Sequence, residues 1–91
     1  MVIYMDNLPA HLQRRWFRTA EAAEYLEHVT GVPHAPATLE GWRVRPPKGG
    51  GPEFHKVGRC VTYYREQLDR FAQRRVGAPI TSTSEAGHAH L

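Results

Sequence analysis

The order of hydrophobic periodicities predicts a small α+β domain: two short helices, a β-hairpin and a closing helix within residues 16–76. Three observations carry this reading. Ala22, Leu26 and Val29 recur at helical spacing, with breakers following them. Phe54 to Val57 and Cys60 to Tyr63 alternate in polarity around Gly58-Arg59. Glu66, Leu68, Phe71 and Ala72 then return to a helical period.

Each element has a local cause. Residues 1–15 read as an N-terminal arm. Within it, the spacing of Leu8, Leu12 and Trp16 predicts a short helix after Pro9. Trp16 and Phe17 are expected to pack onto the domain rather than face water. Thr19 is the expected N-cap of the first clear helix, with Glu21 and Glu24 near the positive end of its dipole. Gly31 ends that helix. The small side chains of Ala22 and Ala23 let a neighbouring helix approach closely.

Val32-Pro33-His34-Ala35 reads as a turn, and Pro36 suits the first position of a second helix. Leu39 and Trp42 fall on one face of it. Pro46-Pro47 stops it and pushes Arg45 extended. Lys48-Gly49-Gly50-Gly51-Pro52 is a loop, either a flexible connection or a close backbone approach. Gly58-Arg59 is a two-residue hairpin turn with glycine where type II′ needs it. In the last helix Leu68 and Phe71 face the core, and Arg65, Arg70, Arg74 and Arg75 face out. Leu26, Leu39, Trp42, Leu68 and Phe71 are the expected core support. Gly77 and Pro79 end the last helix, and the polar stretch 77–91 reads as a disordered tail.

Ninety-one residues make one domain with a small core. A single cysteine, Cys60, excludes an internal disulfide and fits a reducing compartment. No apolar run is long enough to span a bilayer, and Met1 to Asp6 lacks a signal-peptide pattern, so the expectation is a cytoplasmic protein without a membrane partner. Catalysis is not expected: there is no phosphate-binding glycine loop, no arguable Ser-His-Asp order and no paired carboxylates. No histidine or cysteine spacing matches a structural zinc site, and His88 and His90 read as inert tail residues, so neither a metal nor a cofactor is expected.

Charge is unevenly distributed. Residues 43–75 carry nine Lys/Arg against three acids, whereas residues 1–42 carry three against five. The loop, hairpin and last helix are therefore the cationic part, which favours a polyanion such as DNA or RNA. The alternative is a solvated surface with chance asymmetry.

Four segments in this order resemble the excisionase-type family of small DNA-binding proteins with a MerR-like winged helix-turn-helix. They are Arg18-Thr19-Ala20-Glu21-Ala22-Ala23-Glu24-Tyr25-Leu26; Thr38-Leu39-Glu40-Gly41-Trp42-Arg43; Lys56-Val57-Gly58-Arg59 with Tyr63; and Leu68-Asp69-Arg70-Phe71. The resemblance implies that the second helix enters a major groove with Pro36, Ala37, Thr38, Glu40, Gly41, Arg43 and Arg45 toward the DNA. It implies that the hairpin is a wing, with Lys48, His55 and Lys56 at phosphates and Arg59 in a minor groove. Glu40 reads equally as a solvated acid, and Lys56 and Arg59 as hairpin charges that deter edge pairing.

The resemblance further implies a role in excision of a mobile element at the bacterial nucleoid. The partners would be double-stranded DNA, a tyrosine integrase and further copies side by side on bent DNA. The arm from Leu8 to Phe17 and the tail are the candidate protein contacts. A small MerR-like transcription regulator uses the same grip and stays open at this point. So does a protein-interaction adaptor that binds no DNA.

Overall fold

A computed structural model describes residues 8–77 and residue 80, and shows a small α+β winged helix-turn-helix. A short 3-10 turn, Ala10–Leu12, precedes strand β1 (Trp16–Phe17). Helices α1 (Thr19–Thr30) and α2 (Pro36–Val44) follow. Strands β2 (His55–Val57) and β3 (Cys60–Tyr64) form the hairpin, and α3 (Arg65–Arg75) closes the chain. The sheet order is β1-β3-β2, antiparallel throughout.

The expected breakers act where the sequence puts them. Gly31 caps α1 in the left-handed region at φ 75°, and its N–H donates to the Glu27 carbonyl at 2.8 Å. Pro36 opens α2, and Arg45 beyond its end is extended at φ −130°. Val57 pairs with Cys60 across Gly58-Arg59, with Gly58 at φ 64° and Arg59 at negative φ, as a type II′ turn requires.

Three expectations are corrected. Thr19 is the first residue of α1, not its cap. Arg18 takes the cap position, and its backbone N–H donates to Glu21 Oε1 at 3.3 Å, which is the carboxylate half of a capping box. Leu8, Leu12 and Trp16 do not share one helix. The 3-10 turn ends at Leu12, and Trp16 has entered a strand, where it pairs with Tyr64 and is 49% exposed rather than packed away. The segment read as an arm also supplies Leu8, Leu12 and Phe17 to the core, which removes these side chains from any partner contact. The tail beyond Gly77, with His88 and His90, lies outside the described residues except for Ile80.

The core sits between the sheet's inner face and the helices. Phe17 and Tyr63 point inward from β1 and β3 and meet Ala22, Tyr25 and Leu26 of α1, Leu39 of α2 and Leu68, Phe71 and Ala72 of α3. Phe17 and Tyr25 stack with ring centroids 5.0 Å apart, a contact worth about 0.5–1.5 kcal/mol beyond its buried area. The Tyr25 hydroxyl donates to Asp69 Oδ1 at 2.7 Å and ties α1 to α3. Burial first, and the Asp69 carboxylate second, push the Tyr25 hydroxyl's pKa well above the ordinary phenol range. Trp42 is partly buried, with its ring 5.4 Å from that of Phe71 and the Arg75 guanidinium 5.5 Å from its centroid. No helix among the described residues is long and apolar enough to cross a membrane.

Candidate nucleic-acid interface

Helix α2 is held by one side and bare on the other. Leu39 is buried and Trp42 rests on Phe71, and of the remaining residues all but Arg43 face out. Pro36, Ala37, Thr38, Glu40 and Gly41 are all exposed. A glycine inside a helix normally costs about 0.5–1 kcal/mol relative to alanine. At Gly41 a Cβ would meet nothing within 4 Å, so packing within the chain does not require its absence.

Arg43 is placed differently from its neighbours. It is half-buried, and its Nη1 donates to Thr19 Oγ1 at 3.2 Å and Tyr63 Oη at 2.7 Å. Its guanidinium also lies 5.9 Å from the Phe54 ring. The side chain thus links α2, α1 and β3. Arg45, one turn-breaking step later, is exposed.

The loop after α2 is folded. Gly50 N–H donates to the Pro47 carbonyl at 2.8 Å, and Gly49 at φ 86° supplies the positive angle that a type II turn needs in third place. Lys48 occupies the second place of that turn and is exposed. Arg74 Nη2 donates to the Gly51 carbonyl at 3.2 Å, which pins the loop to α3. A Cβ at Gly51 would make only ordinary contact with Pro47 and Trp42, and at Gly49 or Gly50 none, so the run owes its glycines to the positive φ of Gly49 and Gly50 and not to a close approach within the chain.

In the wing, Lys56 and Arg59 are exposed and His55 is engaged. Gln67 Oε1 accepts from the Tyr64 backbone N–H at 3.2 Å, which leaves Gln67 Nε2 to donate to His55 Nε2 at 2.8 Å. The His55 ring also lies 4.8 Å from that of Tyr64. These contacts hold it against the sheet.

Three arginines have acidic partners: Arg14 with Glu21 at 3.5 Å, Arg15 with Glu66 at 3.1 Å and Arg70 with Glu53 at 3.5 Å. The hydrogen bond from its own backbone N–H, and then Arg15, hold the Glu66 carboxyl below the usual range. By contrast the side chains of Arg45, Lys48, Lys56 and Arg59 have no ion pair or hydrogen bond among the described residues. All four flank α2 or form the wing. The sequence marked these four, but it also marked Arg43 and His55, whose partners come from distant segments. Among the described residues no group of three His, Cys, Asp or Glu side chains could hold a metal ion.

Comparison of the chain with protein-family models, with characterised proteins and with solved structures finds no match.

Proposed function

We infer that the protein binds duplex DNA through α2 and the wing, and that it acts as an excisionase, shaping the DNA beside an attachment site so that an integrase carries out excision. The observation that carries the DNA reading is a set of cations without an ion pair or hydrogen bond among the described residues: Arg45 and Lys48 follow α2, and Lys56 and Arg59 stand in the wing, whereas Arg14, Arg15 and Arg70 have acidic partners. Leaving charge unpaired favours a polyanion, because each phosphate neutralised releases condensed counterions. In this reading Thr38 and Glu40 face base edges from the early turns of α2. Arg45, Lys48 and Lys56 take phosphates, and Arg59 at the hairpin tip enters a neighbouring minor groove.

The excision reading rests on the resemblance of the four sequence segments and is the finer part of the proposal. One module of this size buries little surface on DNA, so several copies on adjacent sites supply the specificity and the bend. A retardation assay on duplex DNA at several salt concentrations tests the binding. Binding that falls steeply with salt is the expected result, and a duplex left unshifted at low salt overturns it. Excision and integration assays with the integrase of the same element then test the finer reading: the protein is expected to raise excision and lower integration, and no change in either refutes excision control.

A further inference from the structure

The outer face of the sheet is a second surface, separate from α2. Strand alternation puts Phe17 and Tyr63 on the inner face and leaves Trp16, Cys60, Thr62 and Tyr64 on the outer one, with His55 and Val57 opposite Thr62 and Cys60 in β2. Trp16 and Tyr64 are direct cross-strand partners, and they remain 49% and 45% exposed. Two large aromatic side chains side by side thus stabilise the sheet as a cross-strand pair and still present about half their surface to water.

A cleft lies on each side of this pair. One, of about 350 Å³, runs back along β3 and is lined by Trp16, Arg18, Val57, Cys60, Thr62 and Tyr64. The other, of about 330 Å³, lies between Trp16, Tyr64, Arg15 and Glu66. Three arginines stand at the rim, two of them ion-paired: Arg14 with Glu21 and Arg15 with Glu66. The Arg14 guanidinium lies 5.6 Å from the Trp16 ring centroid, Arg15 stands at the second cleft, and the Arg18 side chain lines the first with no ion pair or hydrogen bond among the described residues.

We propose that the Trp16–Tyr64 pair is a stacking platform for unpaired bases of single-stranded DNA, with Arg18 and its neighbours holding the strand's phosphates. Exposed aromatics on a sheet with a basic rim are the combination that binds single strands without regard to sequence, because every base has a π-face. Two clefts flanking one aromatic pair suit successive bases. The positive excess of Arg14, Arg15 and Arg18 over Glu21 and Glu66 favours a polyanion over an apolar peptide. Moreover, β3 pairs on both edges, so its outer face offers side chains and not a free backbone ladder to an incoming strand. The proposal does not rest on duplex binding by α2.

Trp16 reports directly on the test. In a Trp42→Phe background it is the only tryptophan, since the chain has two. Titration with an oligothymidylate of about 12 nucleotides should quench its fluorescence and saturate. An abasic strand of equal length should bind more weakly and leave the fluorescence unquenched. Trp16→Ala should weaken strand binding by roughly tenfold or more. If that variant fails to fold, Arg18→Gln carries the test, because its side chain has no ion pair or hydrogen bond to lose among the described residues. It should weaken binding several-fold and lower the salt slope by about 0.7.

Equal binding of the abasic strand, or no quenching by oligothymidylate, overturns the proposal. So does quenching that grows with protein concentration in the absence of DNA, which would make this face a contact between copies. A protein that quenches on the strand but shifts no duplex refutes the α2 reading alone, and the reverse result refutes the platform alone.

Discussion

Arg43 points inward: its Nη1 donates to the Tyr63 hydroxyl at 2.7 Å, although it sits on the helix that carries the exposed residues Thr38 and Glu40. The bond joins α2 to the central strand of the sheet. Tyr63 is fully buried, so removing the guanidinium leaves a hydroxyl without its donor. Arg43→Ala is expected to destabilise the domain by about 2 kcal/mol, within the range for a hydrogen bond to a charged group. Chemical denaturation reads that loss. On DNA, the slope of log affinity against log salt should stay unchanged, because this arginine braces the helix. A slope lowered by about 0.9 would instead mark a phosphate contact.

Arg59 and Lys56 behave in the opposite way. Neither side chain has an ion pair or hydrogen bond among the described residues, so Arg59→Ala and Lys56→Ala should each change stability by less than about 0.5 kcal/mol. Each should lower the salt slope on duplex DNA by about 0.9, and the double variant by about twice that, if both meet phosphates. Arg70→Ala, which loses its ion pair with Glu53, is the contrasting case and should move the slope less. Wing variants that keep the full slope would remove the hairpin from the interface.

The Tyr25–Asp69 bond gives stability an alkaline limit. Burial and the Asp69 carboxylate raise the Tyr25 pKa above its ordinary value of 10.0, so the folded state holds the phenol proton more tightly than the unfolded state does. Its contribution is complete below pH about 10 and is lost as pH rises through the folded value, because there the folded state binds more protons than the unfolded state. Tyr25→Phe should cost about 1 kcal/mol at neutral pH. Its stability should then fall less steeply than the wild type's between pH 8 and pH 11, which denaturant midpoints at the two ends would read. Parallel loss in both proteins would show that this hydroxyl does not set the limit.

The sequence made the helices and the hairpin legible because their limits are chemical. Gly31, Pro36, Pro46-Pro47 and Gly58 each act within a few residues of where they stand. Strand β1 was hidden because two residues have no periodicity, and its ladder forms with Tyr63 and Tyr64 at the far end of the domain. The same distance hid the roles of Trp16 and Arg43. Alternation along Cys60 to Tyr64 gives the faces of that strand, but only its pairing with β1 brings Trp16 beside Tyr64. Spacing puts Arg43 beside the exposed face of α2, and only the approach of Thr19 and Tyr63 turns it inward. Thr38, Glu40, Gly41 and Arg45 were readable as exposed, since their surroundings are set by the helix itself and by the prolines after it.

Gly41 offers the sharpest separation of stability from binding. It lies inside α2, is exposed, and has open space where a Cβ would stand. Gly41→Ala should therefore stabilise the free protein by about 0.5–1 kcal/mol through helix propensity alone. If α2 seats in a groove along this face, the added methyl group meets the DNA, and a misfit of about 1–3 kcal/mol is the usual result of overfilling a packed contact. That corresponds to roughly tenfold weaker duplex binding. A thermal melt and a retardation assay on the same preparation read both effects. A variant that is more stable and binds the duplex as tightly as the wild type would place the contact surface of α2 away from Gly41, nearer Pro36 and Thr38.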